Sequence, residues 1–175
     1  MHRAIVLVAL LSGTAAAEAP PPEVPPAMAI QLDLGLAVIG AGVERAVSAQ
    51  LAVQAEAFIT GTYFLPWFDL GARVDGFGGG VRLSWLEHPG ARGLYGVALL
   101  RLSGVHTADS DAFLMTEVGL AAGYAFPISR KIDLRLGLGV VAFRGTGTDR
   151  RAGETSVATV NAPFVQLDAV LGYRL

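Results

Sequence analysis

Few side chains in this sequence are suited to chemistry, and those few gather in one place. The run HTADSD sets His106 beside Asp109, Ser110 and Asp111. A histidine with a serine and an acidic partner is a minimal set for activating a nucleophile, as in barrel-shaped lipid hydrolases. His106, Asp109 and Asp111 would equally suit a hard cation. A solvated loop tip has the same composition, however, and His88 stands apart in the turn-like EHPGA. The absence of cysteine excludes thiolate nucleophiles, thiolate metal sites and disulfides. GGG at 78–80 lies inside a strand-like run with no helix after it, so it is no phosphate cradle. The expectation is a protein that is not an enzyme, with no catalytic residue, metal site or cofactor.

The other polar residues that call for an explanation are single charges embedded in apolar runs. They are Asp33, Glu44, Glu56, Arg82, Arg101, Glu117, Asp133, Arg135, Asp168 and Arg174. KIDLRLGLGVVAF (131–143) shows the pattern: Ile132, Leu134, Leu136, Leu138 and Val140 share one parity, and Asp133 and Arg135 share the other. A helix would scatter those two charges around an apolar surface, whereas a strand sends both to one side.

The same period of two runs along the chain. Leu51, Val53, Ala55, Ala57 and Ile59 oppose Gln50, Gln54, Glu56 and Thr60. Phe77, Val81, Leu83 and Trp85 oppose Arg82 and Ser84. Leu94, Ala98, Leu100 and Leu102 oppose Tyr95, Arg101 and Ser103. Val118, Leu120, Tyr124 and Phe126 oppose Glu117 and three small residues, and Val165, Leu167, Leu171 and Tyr173 oppose Gln166, Asp168 and Arg174. Near the start, Ile30, Leu32 and Leu34 oppose Gln31 and Asp33. Segments 87–91 and 127–130 read as tight turns, and 61–75, 107–111 and 145–160 as longer loops. A closed single-chain barrel of this kind needs an even strand number, which divides residues 30–47 into a hairpin. Strands then start near Ile30, Gly40, Ser48, Gly76, Arg92, Ala112, Lys131 and Asn161, about eight in all. The predicted fold class is all-β, a closed antiparallel up-and-down transmembrane β-barrel.

Alternation alone does not say which face meets water, since a secreted lipocalin-like carrier alternates too. Three features favour lipid outside. The polar face is rich in Gly and Ala, as a narrow interior requires. Its cations are arginines, suited to buried bidentate pairs, and Lys131 is the sole lysine of the chain. Trp85, Tyr124, Phe126 and Tyr173 lie on the apolar face near the short turns, where an interfacial aromatic girdle belongs; Trp67, with Tyr63, Phe64 and Phe68, would serve the opposite girdle.

The first residues read as a cleavable signal peptide over 1–17, with a basic start, the apolar AIVLVALL and the small residues TAAA. EAPPPEVPPA then makes an extended linker over 18–28, leaving 29–175 as the barrel domain. The chain is 53% hydrophobic and 16% charged with a net charge of −2, which leaves no basic stripe to meet nucleic acid. The expected location is the cell outer membrane, in contact with outer-membrane lipid and as a monomer.

GVERAVSAQLAV, DGFGGGVRLSW, RGLYGVALLR and GYAFPISRKIDLRLGLGV together resemble a family of small bacterial outer-membrane β-barrel proteins of unknown function, with an eight-stranded, OmpA/OmpX-like architecture. The resemblance implies fold and location and carries no catalytic residues. The final strand, alternating through Leu171, Tyr173 and Leu175, resembles the signal recognised by the outer-membrane assembly machinery, with Leu175 where an aromatic residue is usual. The expected role is structural or surface-interacting. The outer loops would meet a lipopolysaccharide or protein ligand, with Arg150, Arg151 and Glu154 as candidates in 145–160. A narrow pore for small solutes is the main alternative, ahead of a lipid-modifying enzyme and a soluble carrier.

Overall fold

The computed structural model describes residues 28–61, 74–89, 91–107, 110–151 and 154–175. Of residues 74, 107, 110–112, 147–151 and 154–162 it describes only the backbone. The signal segment and residues 18–27 of the linker lie outside the described residues, as do Tyr63, Phe64, Trp67, Phe68 and Asp109, whereas Met28, the linker's last residue, is strand.

Eight strands follow one another: β1 (Met28–Leu34), β2 (Val38–Ala46), β3 (Leu51–Gly61), β4 (Val74–His88), β5 (Arg92–Thr107), β6 (Ser110–Pro127), β7 (Ile132–Arg151) and β8 (Glu154–Arg174). Each pairs antiparallel with the next, and β1 pairs antiparallel with β8 to close the barrel. The hairpin within 30–47 is present as β1 and β2, turning at 35–37.

Two sequence expectations are corrected. The stretch 145–160 is not a loop but the upper part of a hairpin, paired from Gly145↔Val160 to Arg151↔Glu154. Likewise β5 and β6 run to Thr107 and from Ser110, so most of 107–111 is strand. Above the apolar band neither strand face is oily, so alternation fades although the ladder continues. For the same reason β8 begins at Glu154 rather than Asn161; at the other rim β3 begins at Leu51 rather than Ser48, because Val47 N and Ser48 N donate to Leu51 O in a turn over 47–50.

Registered partners define the barrel's slant. The path Asp33, Gly40, Phe58, Gly78, Ser103, Met115, Gly145, Val160 crosses all eight strands. Extending the β1–β8 register, in which Asp33 meets Val170, returns that path to position 43, ten residues above its start. Eight strands with such a stagger tilt roughly 35–45° and enclose little more than side chains.

One rim of this barrel is flush. Ala46↔Ala52, His88↔Arg92, Pro127↔Asp133, Ile132↔Tyr173 and Ala29↔Arg174 all join strand ends, and both described chain ends lie here. The turn before β5 needs left-handed backbone at Ala91 (φ 50°) and Gly93 (φ 86°), and the Glu87 carboxylate closes it by accepting from Leu94 N at 2.9 Å. The opposite rim is stepped. Strand length climbs from 7 residues in β1 to 21 in β8, so β8 residues 154–169 extend past the last β1 partner.

Among the described residues, no strand pairs with that edge of β8 above Val170. Leu175 N donates to Met28 O of β1, whereas Arg174 N donates to Lys131 O beside β7, so odd positions of β8 point their backbone toward β1. The β7–β8 register is unbroken, which gives Pro163 the same direction. Its missing N–H therefore falls on the edge that β1 leaves free, where proline costs no ladder bond.

Candidate functional site

The alternating pattern turns one parity of every strand inward, and the inward side chains form three layers. Nearest the flush rim is a small apolar cluster that includes Leu86, Tyr95, Val97, Ala121 and Ala125. Beside and above it lies an ionic layer, which reaches the same rim at Asp133 and Arg174, and above that an aromatic one.

The ionic layer brings all ten embedded charges of the sequence into one interior. Arg82 of β4 reaches Asp33 of β1 through Nη1 at 2.5 Å and Asp168 of β8 through Nη2 at 2.5 Å. Arg101 of β5 donates to Asp33 through Nη2 and to Glu56 of β3 through Nε at 2.6 Å. Its Nη1 lies 4.0 Å from Glu117 of β6. Arg135 of β7 grips Glu44 of β2 as a fork, at 2.6 and 2.7 Å, and lies 3.3 Å from Asp133. Arg174, partly exposed near the flush rim, lies 3.4 Å from Asp133. Ion pairs of this kind link opposite walls, and two-pronged arginine contacts fix both distance and angle.

Small residues make the room these contacts need. Tyr95 Oη donates to Asp168 Oδ2 at 2.6 Å, and it does so by passing over Gly137, where a Cβ would stand 2.5 Å from the hydroxyl. A Cβ at Gly80 would stand 2.8 Å from Arg101 Cγ. Gln54 Nε2 adds a donor to Glu56 at 3.1 Å. Sequence reasoning missed Tyr95 and Gln54 as members of this layer, although both share the inward parity of their strands.

The interior carries six carboxylates (Asp33, Glu44, Glu56, Glu117, Asp133, Asp168) against four guanidinium groups (Arg82, Arg101, Arg135, Arg174), an excess of two negative charges. Glu117 stands farthest from a cation of the six. Ser103 Oγ and Gln166 Oε1 are buried with no hydrogen-bond partner.

The upper layer was not expected. Phe58 is buried with its ring 5.3 Å beneath the Arg101 guanidinium carbon, a cation–π contact that joins the two layers. Above it the inward positions include Val105 of β5, fully buried, and Phe113 and Met115 of β6, Val141 and Phe143 of β7 and Phe164 of β8, which are only half-buried. Parity placed these residues inward, but scoring alternation as polar against apolar hides an apolar residue on the polar face.

Outside, Trp85, Tyr124, Phe126 and Tyr173 are exposed near the flush rim, with Lys131 Nζ 5.5 Å from the Tyr173 ring. Trp67 lies outside the described residues. His106 is exposed opposite Asp75 in the β4–β5 ladder, and His88 is exposed at the end of β4; the side chains of Ser110 and Asp111 lie outside the described set. The hydrolase grouping at 106–111 is thus not assembled from described side chains.

No family model matches the chain, and no curated protein matches it. Among solved structures it is similar to a de novo designed transmembrane β-barrel, at 14% identity over 87% of this chain and 98% of that one, with a TM-score of 0.39. The short motifs that resemble small outer-membrane barrels are therefore unaccompanied by a family match.

Proposed function

We propose that this chain is an integral outer-membrane β-barrel that is not an enzyme, is closed inside by its ionic layer, and serves a structural or surface-interaction role from its stepped rim. The observation that carries this reading is the outer surface. Ile30, Leu32, Val53, Ile59, Phe77, Leu83, Leu100, Leu120, Leu138 and Val165 all point outward and are exposed, and every strand contributes large apolar side chains except β2, where Val43 alone does. A water-soluble monomer rarely exposes a contiguous apolar patch beyond roughly 300–600 Å². A belt of this kind around a barrel suits hydrocarbon, and the aromatic and lysine side chains near the flush rim suit a headgroup zone.

The polar interior supports closure rather than conduction, because Arg82 and Arg101 bridge walls that a channel would keep apart. In this reading the flush rim, with Met28 and Leu175, faces the periplasm, and the final strand, ending at Tyr173, Arg174 and Leu175, is what the assembly machinery meets. The tall β7–β8 hairpin then faces outward, and Arg150 and Arg151 near its tip would meet acidic groups of lipopolysaccharide or of a protein ligand.

Location is tested by sodium carbonate extraction and by gel migration with and without heating. Retention in the membrane pellet and heat-modifiable migration are expected, and release by carbonate would overturn the proposal. Planar-bilayer recording tests closure, with steady ohmic conductance favouring a pore instead. Replacing Arg150 and Arg151 together should weaken binding to lipopolysaccharide or surface ligand, and unchanged binding would remove the tip from consideration.

A further inference from the structure

The upper interior holds a feature that a structural barrel does not need. The Glu117 carboxylate has inward cross-strand neighbours on both sides, Arg101 on β5 and Phe143 on β7. Its distance of 4.0 Å to Arg101 leaves it with the weakest counter-charge in an interior that already has two carboxylates in excess. One pleat lower, the Gln166 side chain reaches over to β6, where its Oε1 lies 3.0 Å from the position a Cβ would take on Gly119. That oxygen is buried and unpartnered, as is Ser103 Oγ, which lies beside Met115 in the β5–β6 ladder. Two buried oxygens, one pleat above Glu117 and one pleat below it, thus lack a partner, and buried polar atoms left in that state are costly.

The rings next to them are the second observation. Phe143 stands directly across the ladder from Glu117, Phe164 stands across from Val141 one pleat lower, and the Phe113 ring lies over Gly145, 2.9 Å from where a Cβ would be. All three rings face inward, yet all are only half-buried. Aromatic rings near a carboxylate whose nearest cation stands 4.0 Å away are chemistry that suits an organic cation: the rings attract the charge through their quadrupoles, and the carboxylate neutralises it.

We propose that the upper interior is a binding site for a small protonated amine carried on an apolar body, with Glu117 as counter-charge, Gln166 Oε1 and Ser103 Oγ as acceptors for its N–H groups, and Phe113, Phe143 and Phe164 as the apolar walls. An anion is disfavoured by the excess of carboxylates. A purely apolar guest would leave Gln166 Oε1 and Ser103 Oγ unsatisfied. The ionic layer beneath acts as the floor, with Phe58 and Arg101 separating the guest from the rest of the network. The site rests on the closed barrel and not on its location, so it is independent of whether carbonate extracts the protein.

The test is calorimetric titration of the full chain in zwitterionic micelles, with empty micelles as blank. The probes are 2-phenylethylamine at pH 7, which is cationic, and the neutral 2-phenylethanol. The amine should bind at least tenfold more tightly than the alcohol. Glu117→Gln keeps the shape and removes the charge, and should weaken amine binding roughly tenfold while leaving the alcohol unchanged. Phe143→Leu should weaken the amine about threefold, and it decides the matter should the Glu117 variant fail to fold. Equal binding of amine and alcohol, an unchanged affinity in either folded variant, or no amine binding at 10 mM-scale concentrations (on the order of the weakest useful affinity) would overturn the proposal.

Discussion

Arg82 and Asp33 meet across the width of the barrel, Nη1 to Oδ2 at 2.5 Å, from β4 to β1. Asp33 also accepts from Arg101 of β5 and from the backbone of Gly35 at 3.1 Å. One carboxylate therefore ties the shortest strand to two strands on the far wall. β1 contributes only seven residues to the ladder, and its backbone bonds alone are few. The ion pairs hold the seam where the barrel closes.

Asp33→Ala is accordingly expected to be among the most damaging single changes. It leaves two buried guanidinium groups sharing one acceptor fewer, and breaking a buried pair by removing one partner costs about 3–5 kcal/mol. Equilibrium unfolding in urea, followed by tryptophan fluorescence, should show that loss. A loss below about 1 kcal/mol, the range of exposed pairs, would mean that water enters the layer freely.

Tyr95 and Gly137 form a pair whose effects are not additive. Tyr95→Phe keeps the ring and removes the donor to Asp168, which should cost about 1–3 kcal/mol. Gly137→Ala puts a Cβ 2.5 Å from the hydroxyl and 2.7 Å from the Ala122 backbone oxygen, and should cost at least as much, in part by displacing the hydroxyl. In the double variant the hydroxyl is already gone, so the alanine has less to disturb. The coupling should be about 0.5–3 kcal/mol, as for other residues in contact, and strictly additive costs would count against the packing described.

The outward face predicts a different response. Leu138 points out of β7 and is 65% exposed. On a soluble protein, arginine at such a site is nearly neutral. At the middle of a bilayer it is expected to cost about 2–4 kcal/mol. Leu138→Arg compared with Arg144→Leu, which moves a charge off the same face higher up, separates the two environments. Refolding yield into vesicles should fall for the first and hold for the second, and an unchanged yield for Leu138→Arg would argue against lipid contact.

Parity made the barrel legible, because a strand buried on one side and oily on the other leaves a two-residue trace. Ile132 to Val140 show it with their charges at 133 and 135, and the even strand number forced β1 and β2 apart. What parity could not carry was identity on the inward face. Phe58 follows Gln54 and Glu56 at the inward period yet reads as a break in a polar series. The partners of each charge were equally hidden, since register across the barrel depends on the shear and not on any one strand. The upper hairpin of β7 and β8 escaped the sequence for a further reason. GTGTDRRAGETSVAT has the Gly, Thr and charged residues of a loop, but above the apolar band both faces of a strand meet polar surroundings, so loop-like composition and a continuous ladder coexist.

That hairpin yields the last prediction. Thr146 and Thr159 are registered partners, and among the described residues the ladder above them involves β7 and β8, with Ser110 opposite Asp149. The described ionic layer lies wholly below them. Joining Thr146 to Thr159 through an Asn-Gly turn, which suits a two-residue hairpin connection, removes the projection without touching the layers that hold the barrel. The shortened chain should fold and keep heat-modifiable migration, with a change in unfolding free energy of about 1 kcal/mol or less. Limited proteolysis should lose any cleavage site within 147–158 and gain none elsewhere. Failure of the shortened chain to form a heat-modifiable species would mean that the tall hairpin does more than project, and that closure of the seam depends on the part of β8 that β1 does not reach.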